Sequence, residues 1–354
     1  MTSYTVSIVS INDDNIVIPA KAGIQILVRA TLNDRRAGLL ECFRKNKYND
    51  DRCRSGNRFF GRDNMQYVFQ NIGVIGKQNA PTIIETIRSL VGFLLEQNRK
   101  VVVNDHASHG LEGMQVQVAD NHTIGQQCDL AVVVGGDGTI LNAARILCDY
   151  GIPIVGVNQG RLGFLADIAP DQLLTRMSEI LLQGRYLMEE RFLLHASVVR
   201  DGESIAESNA LNDVILSKWN MARMIEFDTY INNQFVNSQR SDGLIVSTPT
   251  GSTAYALSGG GPLLHPTLDA VVMVPICPHT LSNRPIVVNG ESRITLVIND
   301  CYYDHAQLAC DGQISISVQE HDHILIRKKE KPIRLIHPSN HDHFEMLRAK
   351  LRWG

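Results

Sequence analysis

The period of the apolar positions changes twice along this chain. Between residues 70 and 190, short unbroken apolar runs at 72–75, 101–103, 130–134 and 152–157 alternate with stretches of helical spacing. The helical spacing is clearest in Ile83, Ile84, Ile87, Leu90, Val91, Leu94 and Leu95, and again in Ile140, Ala144 and Leu147. Strands covered on both faces read as continuous apolar runs, and parallel pairing needs helical crossovers between them. Pro81 suits the first turn of the first helix. This predicts an α/β N-terminal domain with a parallel sheet over 65–190. After about Arg191 a period of two takes over, in Gln313-Ile314-Ser315-Ile316-Ser317-Val318 and Ile294-Thr295-Leu296-Val297-Ile298. Further short strands are expected at 195–199, 213–217, 224–231, 243–247 and 323–327. A mainly-β C-terminal domain over 191–330 follows. The tail, 331–354, returns to helical spacing in Phe344-Glu345-Met346-Leu347-Arg348-Ala349-Lys350-Leu351 and is expected to carry a docking helix.

The leading residues differ in kind. Residues 46–64 crowd Asp, Arg, Asn and Gly, with Tyr48, Cys53, Phe59 and Phe60 to bury. Residues 1–64 hold 11 Lys+Arg against 7 Asp+Glu, and the remainder holds 23 against 30, so the charge changes sign at Met65. Residues 1–64 read as a loose, dispensable extension, and Met65, followed by the strand-like Tyr67-Val68-Phe69, reads as the start of the working protein. With 354 residues and 44% hydrophobic content the chain can fill two cores. A net charge of -3 gives no reason to expect nucleic acid as a partner. No apolar run approaches the ~18 residues that span a bilayer, and the N-terminus lacks a charged head before an apolar run. The expectation is a soluble, cytoplasmic protein without a membrane partner. Seven Cys with no Cys-x-x-Cys pair argue against a disulfide framework or a thiolate zinc site.

Chemistry concentrates at a few turns. Gly135-Gly136-Asp137-Gly138-Thr139 falls where the 130–134 strand ends and a helix begins. Glycines allow close backbone approach, and the N–H groups of a helix start suit phosphate. Asp137 would repel an anion in a bare phosphate cradle, so it either holds a divalent cation or takes a proton from an attacking hydroxyl. The same composition also makes an ordinary tight turn. A second segment runs Arg240-Ser241-Asp242-Gly243, then Thr248-Pro249-Thr250-Gly251-Ser252-Thr253-Ala254-Tyr255-Ala256-Leu257-Ser258-Gly259-Gly260-Gly261-Pro262. Its hydroxyls fit ribose or phosphate oxygens and Tyr255 offers a face for a flat ring, while a solvated Ser/Thr loop would explain the polarity alone. Asn209-Ala210-Leu211-Asn212-Asp213 is common turn chemistry taken by itself.

These segments, with Gly156-Val157-Asn158-Gln159-Gly160-Arg161-Leu162-Gly163-Phe164-Leu165 and Cys277-Pro278-His279-Thr280-Leu281-Ser282-Asn283-Arg284-Pro285, together resemble the NAD kinase family. The resemblance runs from about Gln70 to Trp353. The first motif is shared with diacylglycerol-type lipid kinases and 6-phosphofructokinases; the five in order are far more specific. The resemblance implies phosphorylation of the adenosine ribose 2′-hydroxyl of NAD+ with ATP or a related donor and a divalent metal, Mg2+ or Mn2+. It implies Asp137 as catalytic base and Gly135, Gly136, Gly138 and Thr139 around phosphate. It places Gly138, Asn212, Asp213, Arg223, Arg240, Asp242, Thr253, Ala254, Tyr255, Ala256, Leu257, Ser258 and Gln313 with Asp137 about the NAD. Many relatives carry Glu where this chain has the shorter Asp213. Homodimers or homotetramers whose subunits complete one another's sites are implied as well. A lipid kinase and a catalytically silent NAD(H)-binding regulator are the rival readings.

Other signals point less far. His321-Asp322-His323 and His337 with His341-Asp342-His343 read more simply as polar sequence near the chain end than as a metal cluster. His279 reads as structural. Arg327-Lys328-Lys329-Glu330-Lys331 reads as a solvated strand edge.

Overall fold

The computed structural model describes residues 11–12, 15–17, 27–29, 69–76, 81–160, 163–219, 223–300 and 306–353. The chain divides into two compact units, Met1–Ser55 and Gly56–Gly354. In the first, β1 (Ile11–Asn12), β2 (Asn15–Val17) and β3 (Leu27–Arg29) form a small antiparallel sheet with β2 central. Residues 46–64, expected to be loose, lie outside the described residues. Of the expected strand at Tyr67-Val68-Phe69 only Phe69 is described, buried just ahead of the first strand of the second unit.

That unit opens as the predicted β/α alternation. β4 (Asn71–Gly76), α1 (Pro81–Glu96), β5 (Lys100–Asn104), β6 (Gln117–Ala119), α2 (Asn121–Gln127), β7 (Leu130–Val134), α3 (Asp137–Leu147), β8 (Ile154–Val157), α4 (Leu173–Gln183) and β9 (Tyr186–Arg191) follow in order. The sheet runs β6-β5-β4-β7-β8, parallel throughout. Why the strands are apolar at every position is visible in β7. Val132 and Val134 pack under α1 and α4 with Leu90, Leu94 and Met177, while Ala131 and Val133 face α2 and α3 with Ile124, Ile140 and Leu147. Truncating one such fully buried Leu to Ala costs about 2–5 kcal/mol.

The next stretch is antiparallel. β10 (Leu194–Arg200), β11 (Glu203–Ala210), β12 (Asp213–Lys218), β13 (Ile225–Ile231), β14 (Gln234–Ser241), β15 (Gly243–Ser247), a four-residue helix α5 (Tyr255–Ser258), β16 (Ala270–Ile276), β17 (Ile286–Asn289), β18 (Ile294–Asp300), β19 (Ala306–Cys310), β20 (Ile314–Val318) and β21 (His323–Lys328) complete it. They form two six-stranded sheets, β11-β10-β21-β18-β13-β14 and β17-β16-β15-β12-β19-β20. Alternate residues of both, among them Val198, Phe227, Leu296, Leu216, Val246 and Leu308, meet in one core.

The tail does more than dock a helix. β22 (Ile333–Pro338) enters the first sheet, parallel to β8 and antiparallel to β9, before α6 (His343–Leu351), which Asp342 caps through the N–H groups of Phe344 and Glu345. The basic run at 327–331 is not a solvated edge. β21 pairs on both sides, with β10 and β18, and Lys328 bridges Asp269 and Glu291. Cys128, Cys148 and Cys310 are buried and Cys277 exposed, all four free. No helix among the described residues is long and apolar enough to cross a membrane.

Candidate active site at the β7–α3 turn

The glycine-rich turn sits at the carboxyl end of β7, where open α/β sheets bind ligands. Gly135 donates its N–H to the Val157 carbonyl at 2.9 Å, and a side chain on it would strike Thr139. Gly136 and Gly138 are exposed at the start of α3. Asp137 is the first residue of that helix. Its half-buried carboxylate accepts the N–H of Phe164 on Oδ2 at 2.8 Å, and those of Leu165 and Ala166 on Oδ1 at 3.1 and 3.2 Å. A side chain at Gly163 would occupy the space of this carboxylate. So the 156–165 motif forms a nest for the first one, although Arg161 and Leu162 fall outside the described residues. Among the described residues Oδ2 has one donor, which leaves it an acceptor position.

A relay of polar contacts joins this turn to the Asn212-Asp213 motif. The Gln313 side-chain amide donates to the Gly138 carbonyl at 2.7 Å, and its oxygen accepts from Arg145 Nη2 at 2.6 Å. Arg145, two turns along α3 from Asp137, donates from Nη1 to Asp311 Oδ2 at 2.9 Å. Asp311 accepts in turn from the N–H groups of Leu211, Asn212 and Asp213 at 3.1, 2.7 and 3.3 Å. Arg145 and Asp311 carry no expectation from sequence. Asp311 and Gly312, with φ of 52° and 62°, are the central pair of the β19–β20 turn, so their composition reads as turn chemistry alone.

Asp213 is buried, and burial, then the nearby charge of Asp311, pushes its carboxyl up to about 7. Burial pushes Asp311 up too, but three N–H groups and Arg145 oppose it, so of the two it is Asp311 that keeps its charge.

The 241–262 segment wraps the same corner. Thr248 donates its N–H to the Asn212 carbonyl and its hydroxyl to that of Leu211, at 2.9 and 2.6 Å. Thr253, Ala254 and Leu257 are half-buried, Tyr255 is 46% exposed with its ring available, and Ser258 is exposed. Ala256 faces the other way, into the apolar cluster with Ile245, Val272 and Val274.

Three expected residues lie apart from this corner. Asp242 pairs with Lys218 at 2.6 Å, Arg240 is exposed with its carbonyl accepting from His279 N–H at 2.9 Å, and Arg223 is exposed. Asp213 pairs with Ser247 and Ser217 with Gly243. The two ends of this strand pair are therefore about 13 Å apart at ~3.3 Å per residue. Asp242 adjoins one end and Asn212 the other.

Of the tail histidines, His337 and His341 differ from expectation. His321 and His323 are exposed, but Asp322 is fully buried and bound by Arg200 through two contacts of 2.8 Å. His337 is 1% exposed and lies with His341 against Asp167. Asp322 and His337 are therefore buried, while His321 and His323 are solvated as expected. A groove of about 640 Å³ lined by Glu190, Phe192, Asp269, Glu291 and Lys328 contains none of the expected site residues.

With this geometry in place, the comparisons agree with one another. Residues 72–186 match the model of the ATP-NAD kinase N-terminal domain, and residues 211–338 that of the ATP-NAD kinase C-terminal domain. The chain is 50% identical to the NAD kinase of Pseudomonas entomophila over 286 residues, covering 81% of this chain and 96% of the relative. Identity to the NAD kinase of Pseudomonas fluorescens strain Pf0-1 is 49% over the same coverage. Among solved structures, yeast NADH kinase complexed with NADH superposes with a TM-score of 0.73 at 25% identity, covering 82% of this chain and 89% of that one. An NAD kinase from Archaeoglobus fulgidus in complex with ATP gives 0.63 at 25% identity, covering 80% and 99%. The nest around Asp137, the two matched domains and the half-identical relatives converge, and the chain belongs to the NAD kinase family.

Proposed function

We propose that this chain transfers a phosphoryl group from ATP to the 2′-hydroxyl of the adenosine ribose of NAD+, giving NADP+ and ADP. The observation that carries the reading is the Asp137 carboxylate, fixed by three backbone N–H groups at a glycine turn yet keeping one acceptor position on Oδ2. A sugar hydroxyl is a poor nucleophile at neutral pH, so a carboxylate within hydrogen-bond reach must take its proton as the phosphoryl group arrives. Oδ2 does this. The N-terminal end of α3, flanked by Gly135, Gly136, Gly138 and Thr139, faces the donor phosphates. Asn212, Asp213, Thr253, Ala254, Leu257, Ser258 and Gln313 hold the dinucleotide, and Tyr255 stacks on a flat ring.

The turn suits a cation that arrives with the nucleotide rather than one caged by the chain. Asp137, the only carboxylate in Gly135-Gly136-Asp137-Gly138-Thr139, is committed to the ribose hydroxyl, so Mg2+ or Mn2+ would be held chiefly by the substrate phosphates it arrives with. Mg2+ or Mn2+ bound there would offset charge on the phosphoryl oxygens. Asp242 lies about 13 Å of strand from the Asn212 corner, which supports a homodimer or homotetramer in which it, with Arg223 and Arg240, serves a neighbouring subunit's site; the cytoplasm is the compartment this reading assigns.

Mixing the purified protein with NAD+, ATP and Mg2+ tests the proposal. NADP+ accumulating with the ADP is the expected result. NAD+ binding without NADP+ above blank would put the non-catalytic reading in its place.

A further inference from the structure

Asp167, His337 and His341 take no part in the phosphoryl transfer proposed above. Asp167 follows directly on the turn that grips Asp137, His337 belongs to β22, and His341 stands three residues beyond the end of that strand. Both imidazole Nδ1 atoms lie 2.9 Å from one oxygen, Asp167 Oδ2. The two rings stack with centroids 4.1 Å apart, and the side chains of Asp167, His337 and His341 are 9%, 1% and 5% exposed.

The proton inventory of this cluster does not close. Two neutral imidazoles bring two N–H donors, and both are used on Oδ2. Asp167 Oδ1, His337 Nε2 and His341 Nε2 then remain buried with no hydrogen-bond partner among the described residues. Bare acceptors around a buried negative charge are unfavourable. Glu189 Oε2 lies 3.8 Å from His337 Nε2, beyond hydrogen-bond distance, and is bound by Arg191. A cation held by Oδ2 and the two Nδ1 atoms would replace both Nδ1 protons with one centre bonded to all three residues, leaving each Nε2 as an N–H, that of His337 on the side of Glu189.

We propose that Asp167, His337 and His341 form a binding site for a divalent first-row transition metal of the zinc class, ligated by the Asp167 carboxylate and one nitrogen from each imidazole. Two imidazoles select such an ion over Mg2+ or Ca2+, which take oxygen ligands. Tetrahedral zinc with bonds of about 2.0–2.1 Å sets its ligands about 3.3 Å apart. All three residues already present ligand atoms within 4.8 Å of one another, and the N–O edges of 2.9 Å need to open by only a few tenths of an ångström. Glu189 stands where a carboxylate commonly orients a ligating histidine from behind. The ion would brace the tail against the nest, because Asp167 adjoins Ala166, whose N–H binds Asp137 Oδ1.

The full chain, stripped with dipicolinate and free of nucleotide and Mg2+, is titrated with Zn2+, Co2+ or Mg2+. Zn2+ should bind at about one equivalent per chain and raise the melting temperature by about 3–5 °C at a hundredfold excess over its dissociation constant. Co2+ should develop visible absorption, and Mg2+ should do neither. His341→Asn should lose the equivalent, while the double variant His321→Ala/His323→Ala, changed at exposed positions, keeps it. Zinc that leaves the melting of the unmodified chain unmoved would overturn the site, as would an equivalent that survives in His341→Asn. The first reading is made on the unmodified protein, so a misfolded variant does not obscure it.

Discussion

Asp137 and Asp311 are held by the same device and put to different uses. Each carboxylate accepts three consecutive backbone N–H groups, from Phe164, Leu165 and Ala166 in one case and from Leu211, Asn212 and Asp213 in the other. The difference lies on the fourth side. Arg145 closes Asp311, whose side chain is 0% exposed, whereas Asp137 stays half-buried with an acceptor position on Oδ2 that no described residue fills. A closed nest locks backbone in place. An open one holds a carboxylate still while leaving it able to receive a proton, which is the preorganisation a general base needs.

The widest gap between the two should appear on mutation. Asp137→Asn should lower turnover by about 10²–10⁴-fold, the usual range for a lost general base, with NAD affinity kept within about tenfold. A loss under about tenfold in steady-state assays would remove Asp137 from that role. Asp311→Ala should act on folding instead. It leaves Arg145 and three N–H groups buried without their acceptor, at a cost of about 3–5 kcal/mol in urea unfolding. A stable Asp311→Ala protein would mean that its nest is not structural.

Acid should sharpen the contrast more gently. The Asp213 carboxyl stands at about 7 in the folded chain, above the ~3.9 of an unfolded one. The folded state therefore binds more protons between about pH 4 and pH 7, so stability falls as pH rises through that window and levels off above it. Asp213→Asn should flatten this part of a melting series, gaining on the parent chain as pH rises. The smallest effect is expected from deleting residues 1–64, which should leave melting and turnover unchanged. Loss of either would show the leading segment to be part of the working protein.

Much of the architecture is legible in the sequence because it is local. Unbroken apolar runs mark β4, β5, β7 and β8, helical spacing marks α1, α3 and α6, and the glycines around Asp137 mark the turn where the site is built. What escapes sequence reading depends on partners far away in the chain. Arg145 and Asp311 are 166 positions apart and His337 and Asp167 are 170 apart, so each reads singly as a surface charge or a turn residue. β22 escapes for the same reason, since its neighbours β8 and β9 precede it by more than a hundred residues. The nest around Asp137 is legible only in part. The motif at 156–165 is visible, but N–H groups have no sequence signature, and only folding shows that they point at a carboxylate.

The central claim is that Asp137 Oδ2 receives the proton of the ribose hydroxyl, and an experimental structure with bound NAD+ tests it most directly. The account predicts the 2′-oxygen of the adenosine ribose about 2.6–3.2 Å from Oδ2, with the three N–H contacts to the carboxylate intact. A 2′-oxygen well out of contact, or an Oδ2 whose remaining acceptor position is taken by a further protein donor, would contradict it.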